Sequence, residues 1–194
     1  MANLPMTALK LLNERRSIPS RQLGEPGPNP AELRALLEAA VRAPDHGKLV
    51  PWRFILIRGD ARRRLGDLLA QTTLANNPDA APALVEKDRD RFNFAPLIVT
   101  VVARIDETQS KVPEQEQLLA AGCVAYNLLI GAQQLGYGAQ WLTGWAAYDA
   151  TFRDALGIKG GEHVIGFIHI GTAREPAPER LRPDVDDLVS EWQG

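Results

Sequence analysis

One cysteine in 194 residues, Cys123, leaves no internal disulfide to form and fits a reducing cytoplasm. Three histidines, no paired cysteines and no H-E-x-x-H spacing give no ligand set for a metal, and none is expected. No charge of one sign dominates. Lys and Arg number 22 against 24 Asp and Glu, a net of −2, so nucleic acid is not expected as a bulk partner. Long hydrophobic runs are missing too. The longest, Leu118 to Ala132, is interrupted by Asn127 and is too short for a bilayer, so no membrane partner is expected. No apolar signal-peptide core is visible, which reads as a cytoplasmic chain. Common catalytic motifs are absent as well. There is no G-x-S-x-G elbow and no P-loop. Gly136-Tyr137-Gly138 lacks the third dinucleotide-binding glycine and leads from helix to strand, the reverse of a Rossmann turn. It reads as a helix stop.

What is present reads as one α+β domain over residues 1–194. Met6 to Glu14 reads as a short helix with Thr7 as its N-cap. Residues 19–30 read as a loop. Asn29, Pro30 and Glu32 then carry the signature of a capped helix, followed by Leu33, Leu36, Leu37 and Ala40 at helical spacing. Strands are expected at residues 52–57, 97–102, 139–142 and 163–170. The second of these is apolar throughout and should be buried on both faces. Residues 61–93 are charged and should hold two helices split at Asn76-Asn77-Pro78. Residues 114–135 should form the longest helix. It is apolar nearly all round from Leu118 to Ile130, which places it in the core. Asp149 should cap one further helix ending at Gly157. From Gly171 to Gly194 the pattern of a core is lost, and an extended C-terminal arm is expected.

Arg15-Arg16-Ser17, at the end of the first helix, combines two planar guanidinium forks with a short hydroxyl, groups that match phosphate oxygens. Cations at a helix C-terminus also complement the macrodipole, for about 0.3–1 kcal/mol, and taken alone the tripeptide is more often that. His46 sits in a loop between a helix and a strand, where sites are commonly built; an exposed loop histidine is equally consistent. Trp141, Leu142, Thr143 and Gly144 end a strand, with Trp145 beyond; two tryptophans there serve either a core or the wall of a flat ligand. Cys123 lies within the apolar helix and is expected in the core. His163 and His169 read as partly buried strand residues.

The order and spacing of several segments resemble the nitroreductase family of FMN-dependent oxidoreductases, in its compact NAD(P)H nitroreductase branch. They are Leu11-Leu12-Asn13-Glu14-Arg15-Arg16-Ser17, Arg42-Ala43-Pro44-Asp45-His46-Gly47-Lys48 and Pro51-Trp52-Arg53-Phe54. They continue with residues 95–103, Lys111-Val112-Pro113-Glu114-Gln115-Glu116, Ala121-Gly122-Cys123, Trp141-Leu142-Thr143-Gly144 and Gly166-Phe167-Ile168-His169-Ile170-Gly171-Thr172.

The resemblance implies a nitroreductase-like fold: a central, mostly antiparallel sheet around a buried helix, in an intertwined homodimer with two FMN sites at its interface. Arg15, Arg16 and Ser17 match the first FMN-contacting segment, and Arg42 a further flavin contact. His46 matches a residue reaching the partner's flavin. Trp141, Leu142 and Thr143 match the segment beside the ring, and Arg174 a second phosphate-binding position. Pro19 stands where larger relatives often carry a cation, which leaves Arg16 or Arg42 for the charge near flavin N1. The implied reaction is ping-pong: hydride passes from NADH or NADPH through FMN to a nitroaromatic, quinone or related small-molecule acceptor. No side chain is assigned as catalytic, and residues 61–93 are expected to cover the site. The same fold also hosts dehalogenation, enone reduction and flavin cleavage. An FMN-binding or sensor protein without turnover, and a flavin-free interaction domain, remain alternatives.

Overall fold

The computed structural model describes the backbone from residue 6 to residue 194 and side chains from residue 9. Helix α1 spans Met6–Glu14. The Thr7 cap lies outside the described side chains. The loop expected after it contains a short 3-10 turn at Ser20–Gln22 and a two-residue strand, β1, Leu23–Gly24. Two residues are too few to show alternation in a sequence; this strand exists because it pairs with the end of the last one.

Helix α2, Pro30–Ala40, starts as its signature requires. Asn29 Oδ1 accepts from the Ala31 and Glu32 amides at 2.9 Å, and Glu32 Oε2 accepts from the Asn29 amide at 2.9 Å. The chain continues through β2 (Trp52–Arg58), α3 (Asp60–Asn76), α4 (Pro82–Asp90) and β3 (Leu97–Arg104). Then come α5 (Glu114–Gln134), β4 (Gly138–Leu142), α6 (Ala150–Ala155) and β5 (Glu162–Ala173). Asp149 caps α6 by accepting from the Phe152 amide at 2.9 Å. Gly136 stops α5 at φ +83°, a left-handed conformation that glycine adopts without penalty.

Every strand pairing is antiparallel. β5 organises the sheet. It pairs with β3 from Leu97↔Ile170 to Arg104↔Glu162, with β4 from Gly138↔Gly171 to Leu142↔Phe167, and with β1 at Leu23↔Ala173. β2 lies outside β3. β5 runs three residues past the expected stop at Ile170, because β1 and β4 satisfy its last backbone groups.

Helices cover both faces. On one, Val99, Val101, Ile168 and Ile170 pack with Val124, Ala125 and Leu128 of α5 and with Leu36 of α2. Gly131 lets the two helices close, since a Cβ there would sit 2.5 Å from Leu36 Cδ1. On the other face, Ile98, Val102 and Phe167 meet Leu69, Phe92 and Phe152. β3 is therefore buried on both faces, as its composition demands.

Helix α5 departs from expectation. Its buried face is Gln117, Ala120, Ala121, Val124, Ala125, Leu128, Leu129 and Ala132. Leu119 and Tyr126, on the opposite face, are 62% and 40% exposed. Cys123 is exposed there too, not packed in the core. The reason is geometric: the sheet covers one side of a helix, and this helix is apolar on two. The histidines of β5 also separate. His163 is exposed while His169 is fully buried, stacked on Phe92 with ring centroids 5.8 Å apart. From Arg174 onward the chain has no helix or strand. Leu181 and Trp192 on this arm are 96% and 91% exposed.

Candidate functional site at the strand ends

Segment 15–21 links α1 to the sheet. The Ile18 amide donates to the Ala139 carbonyl at 3.0 Å, and the Ser20 amide donates to Gln140 Oε1 at 2.6 Å. These bonds seat Arg15, Arg16 and Ser17 beside β4. Arg15 Nη1 donates to Ser17 Oγ at 3.2 Å, so the two lie side by side. Arg16 is differently placed. It donates to the Asn13 carbonyl at 2.7 Å and the Arg15 carbonyl at 3.1 Å, and it pairs with Glu179 from the C-terminal arm. Bonding the Asn13 carbonyl is what a helix-terminal cation does. The geometry thus divides the arginine pair: Arg16 fastens the helix end to the arm, while the Arg15 guanidinium, among the described residues, donates to Ser17 alone.

Arg15 and Arg16 border a cavity of about 270 Å³ that also touches Gln133 and Ala139. Among the described residues, buried Gln133 Oε1 has no hydrogen-bond partner. An unpaired buried carbonyl oxygen is costly in a dry interior, and it suits a ligand bearing hydroxyl donors. The Arg15 guanidinium, with Ser17 bonded to it, suits an anion on the same ligand, and Glu14 is the carboxylate among the lining residues.

Successive residues of β4 face opposite ways. Gln140 and Leu142 border a second cavity of about 580 Å³, together with Arg21, Lys87, Arg91 and Phe94. Arg91 lies hard against the strand end: a Cβ on Gly144 (φ +71°) would come 2.5 Å from Arg91 Nη1. Trp141 turns away. Its Nε1 donates to the Ile165 carbonyl at 3.0 Å, where a bulge opposite Val101/Val102 interrupts β5. Thr143 is half-buried between Leu142 and Gly144.

The remaining sequence-predicted residues lie apart from this cluster within one chain. Arg174 extends over Gly24, whose Cβ position is 2.8 Å from Arg174 Nε. Arg42 borders a groove of about 410 Å³ between α2 and α5. His46 is at the other end of the sheet. Its Nδ1 is 2.6 Å from Glu116 Oε2 at the start of α5, and its loop is shaped by Asp45, which accepts from the Leu49 and Val50 amides at 3.1 and 2.9 Å. That end is marked by the register Trp52↔Ala103↔His163, the end beside Arg15 and Ser17 by Leu23↔Ala173. Ten residues of β5 separate them, roughly 33 Å at about 3.3 Å per residue. His46 and Arg15 of one chain do not meet.

Sequence reasoning missed Arg91, Gln133 and Glu116. Lys87 and Arg91 stand four apart at the end of α4, a helical spacing visible in the sequence, but nothing local says that the face they share meets β4.

Among the described residues no group of acidic, cysteine or histidine side chains is arranged to hold a metal, and no helix is long and apolar enough to cross a membrane. An antiparallel sheet between helical layers, with a basic and partly apolar cleft at one end, defines the class as an α+β protein. The Nitroreductase family model matches residues 12–172. A Haemophilus influenzae protein named "Putative NAD(P)H nitroreductase" is 37% identical over 186 residues, covering 95% of this chain and 99% of its own. Among solved structures, a nitroreductase-like family protein from Bacillus cereus superimposes with a TM-score of 0.80 at 24% identity, over 100% of both chains. A Desulfovibrio desulfuricans nitroreductase homologue solved with FMN gives 0.74 at 23% identity, over 97% of this chain and 98% of that one. The chain belongs to the nitroreductase family and is an oxidoreductase enzyme of that family.

Proposed function

We propose that this protein is an FMN-dependent oxidoreductase of nitroaromatic, quinone or related electron-poor acceptors, with NADH or NADPH as donor, working as a homodimer. The observation that carries the reading is Arg15, bonded to Ser17, on a cavity whose buried Gln133 Oε1 lacks a partner among the described residues. FMN offers what those atoms lack: a phosphate for the cations and ribityl hydroxyls for the carbonyl oxygen. The FMN carried by a structural relative of the same fold supports this. When bound, FMN supplies hydride transfer between donor and acceptor in alternating half-reactions.

The chain's own residues bind and orient. Arg15 and Ser17 hold the phosphate, and Arg16 holds the helix end and arm in place beside them. The strand end from Trp141 to Thr143 flanks the ring. Arg91 would supply the cation beside the bound ring, because it rests on Gly144 at the strand end, whereas Arg16 is bound to Glu179 and Arg42 borders another groove. A positive charge fixed there favours the electron-rich state of the ring, as an oxyanion hole favours a developing anion.

Two copies complete the site. The exposed stripe of α5 and the apolar residues of the arm provide surface for a partner. Two copies lying head to tail along α5 bring His46 of each, steadied by Glu116, to the Arg15 end of the other. Residues 61–93 then cover the site from α3 and α4. The test is direct: purified protein should show flavin absorbance, or take up added FMN, and oxidise NAD(P)H faster with a nitroaromatic acceptor present. A colourless protein that binds no FMN overturns the reading; FMN binding without turnover reduces it to a flavin-holding role.

A further inference from the structure

The cavity between α4 and the end of β4 has an unusual charge. Three of its lining side chains are cations, Arg21, Lys87 and Arg91, and Asp90 is the one carboxylate among its described lining residues. The whole chain carries a net −2, so this is a local reversal of sign. Arg91 has a carboxylate neighbour, Asp88, at 3.9 Å. Among the described residues, Arg21 and Lys87 make no salt bridge. Both are exposed at the rim while Arg91 is set deeper. Gln140 commits its Oε1 to the Ser20 amide at 2.6 Å, which leaves its amide N–H groups as donors. Phe94 and Leu142 supply apolar surface. A space of about 580 Å³ suits a small-molecule ligand.

We infer that this cavity selects acceptors: aromatic compounds carrying a carboxylate or similar anionic group are preferred over neutral and cationic ones. The inference rests on the flavin reading above and names its substrate class. The apolar residues accept a ring, and the rim offers donors and positive charge to an anionic substituent. Low-dielectric walls focus the field of Arg21 and Lys87 into the cavity, so the preference weakens as salt rises. Arg91 serves the cofactor, so Arg21 and Lys87 set the choice among acceptors.

The experiment pairs binding with turnover. Calorimetry with benzoate, which cannot be reduced, reads the site whether or not flavin is bound, and FMN affinity is measured separately by fluorescence. On flavin-loaded enzyme, kcat/KM is compared for 4-nitrobenzoate, nitrobenzene and 4-nitrobenzylamine. The wild type should favour nitrobenzoate over nitrobenzylamine by about tenfold, equivalent to about 1.4 kcal/mol. Arg21→Glu and Lys87→Glu, singly and together, should lower benzoate affinity and shift that ratio toward the amine; Arg21→Gln and Lys87→Gln should fall between. Equal kcat/KM for the charged substrates, or no effect of the variants on benzoate affinity, overturns the inference. Loss of FMN affinity in these variants without a change of acceptor ratio also overturns it, by giving the rim cations to the cofactor. Failure of the wild type to bind FMN, with benzoate still bound through Arg21 and Lys87, refutes the flavin reading and leaves the anion site standing.

Discussion

Glu179 of the C-terminal arm is hydrogen-bonded to Arg16 across 163 positions of sequence. That bond holds the Glu179 carboxyl below the usual carboxylate range. Arg182 adds a bond from the same arm to the Arg15 carbonyl at 3.3 Å. The arm therefore fastens the turn that carries Arg15 and Arg16.

The two arginines should respond differently to truncation. Arg15→Ala removes a guanidinium whose one hydrogen-bond partner among the described residues is Ser17, and FMN affinity should fall roughly ten- to a hundredfold, the worth of a charged hydrogen bond to phosphate. Arg16→Ala should cost less FMN affinity but release the arm, seen as faster proteolysis beyond Arg174. Glu179→Gln should free the arm without weakening FMN binding. Equal losses of affinity for the two alanine variants would return Arg16 to the phosphate.

His46 and Arg15 lie at opposite ends of β5, so each proposed site draws them from different chains. Arg15→Ala and His46→Ala homodimers should both be impaired. Mixed and sorted heterodimers should regain up to about half of the wild-type activity per dimer, because one of the two sites has both residues intact. Light scattering gives the prior check that the protein is a dimer. No recovery in verified heterodimers would confine each site to a single chain.

Most elements were legible because their signals are local. Asn29, Pro30 and Glu32 announce α2 within four residues, and the uninterrupted apolar run of β3 announces a strand covered on both sides. What was hidden depends on distant partners. β1 is invisible because only its pairing at Ala173 makes it a strand. The core assignment of Cys123 failed because hydrophobicity tells that a helix face is apolar, not which surface covers it. The Arg15-Arg16-Ser17 tripeptide was readable as a phosphate site or a helix end; the bond from Arg16 to the Asn13 carbonyl is one that a helix-end cation makes. Arg91 was unreadable because its place against Gly144 arises from where the chain leaves α4, which nothing local in the sequence fixes.

Gly166 and Trp141 define a close approach that a single methyl group tests. An added Cβ at Gly166 would stand 2.0 Å from Trp141 Nε1 and 2.4 Å from its Cδ1. Gly166→Ala must displace the indole and break its bond to the Ile165 carbonyl, as overpacking of this kind costs about 1–3 kcal/mol. Thermal or urea denaturation should show the loss. Trp141→Phe, which shrinks the ring, should recover part of it in the double variant. A Gly166→Ala protein as stable as wild type would mean that the strand end yields easily, and the flank proposed for the flavin would not be rigid.

His169 gives the fold a pH dependence of calculable sign. Its imidazole is fully buried, neither ring nitrogen has a hydrogen-bond partner, and Arg91 is the nearby charge. Burial first, and the Arg91 cation second, push its pKa down to about 4 from an ordinary value of 6.5. The unfolded chain takes up this proton near pH 6.5, the folded chain only near 4. Between those values the unfolded state binds more protons, so stability rises with pH there and is lost as the solution is acidified. The full effect is on the order of 3 kcal/mol, reached at and below pH 4. Glu162 acts in a lower window. Its hydrogen bond from Arg53 is the leading cause of a pKa near 2, so its contribution is lost from about pH 4.5 downward. His169→Phe should therefore flatten the stability curve between pH 6.5 and 4 and leave the steep fall below it. Urea unfolding at pH 7, 5.5 and 4.5 measures this directly. An unchanged slope in the variant would show that water or a shifted side chain solvates the imidazole in the native fold.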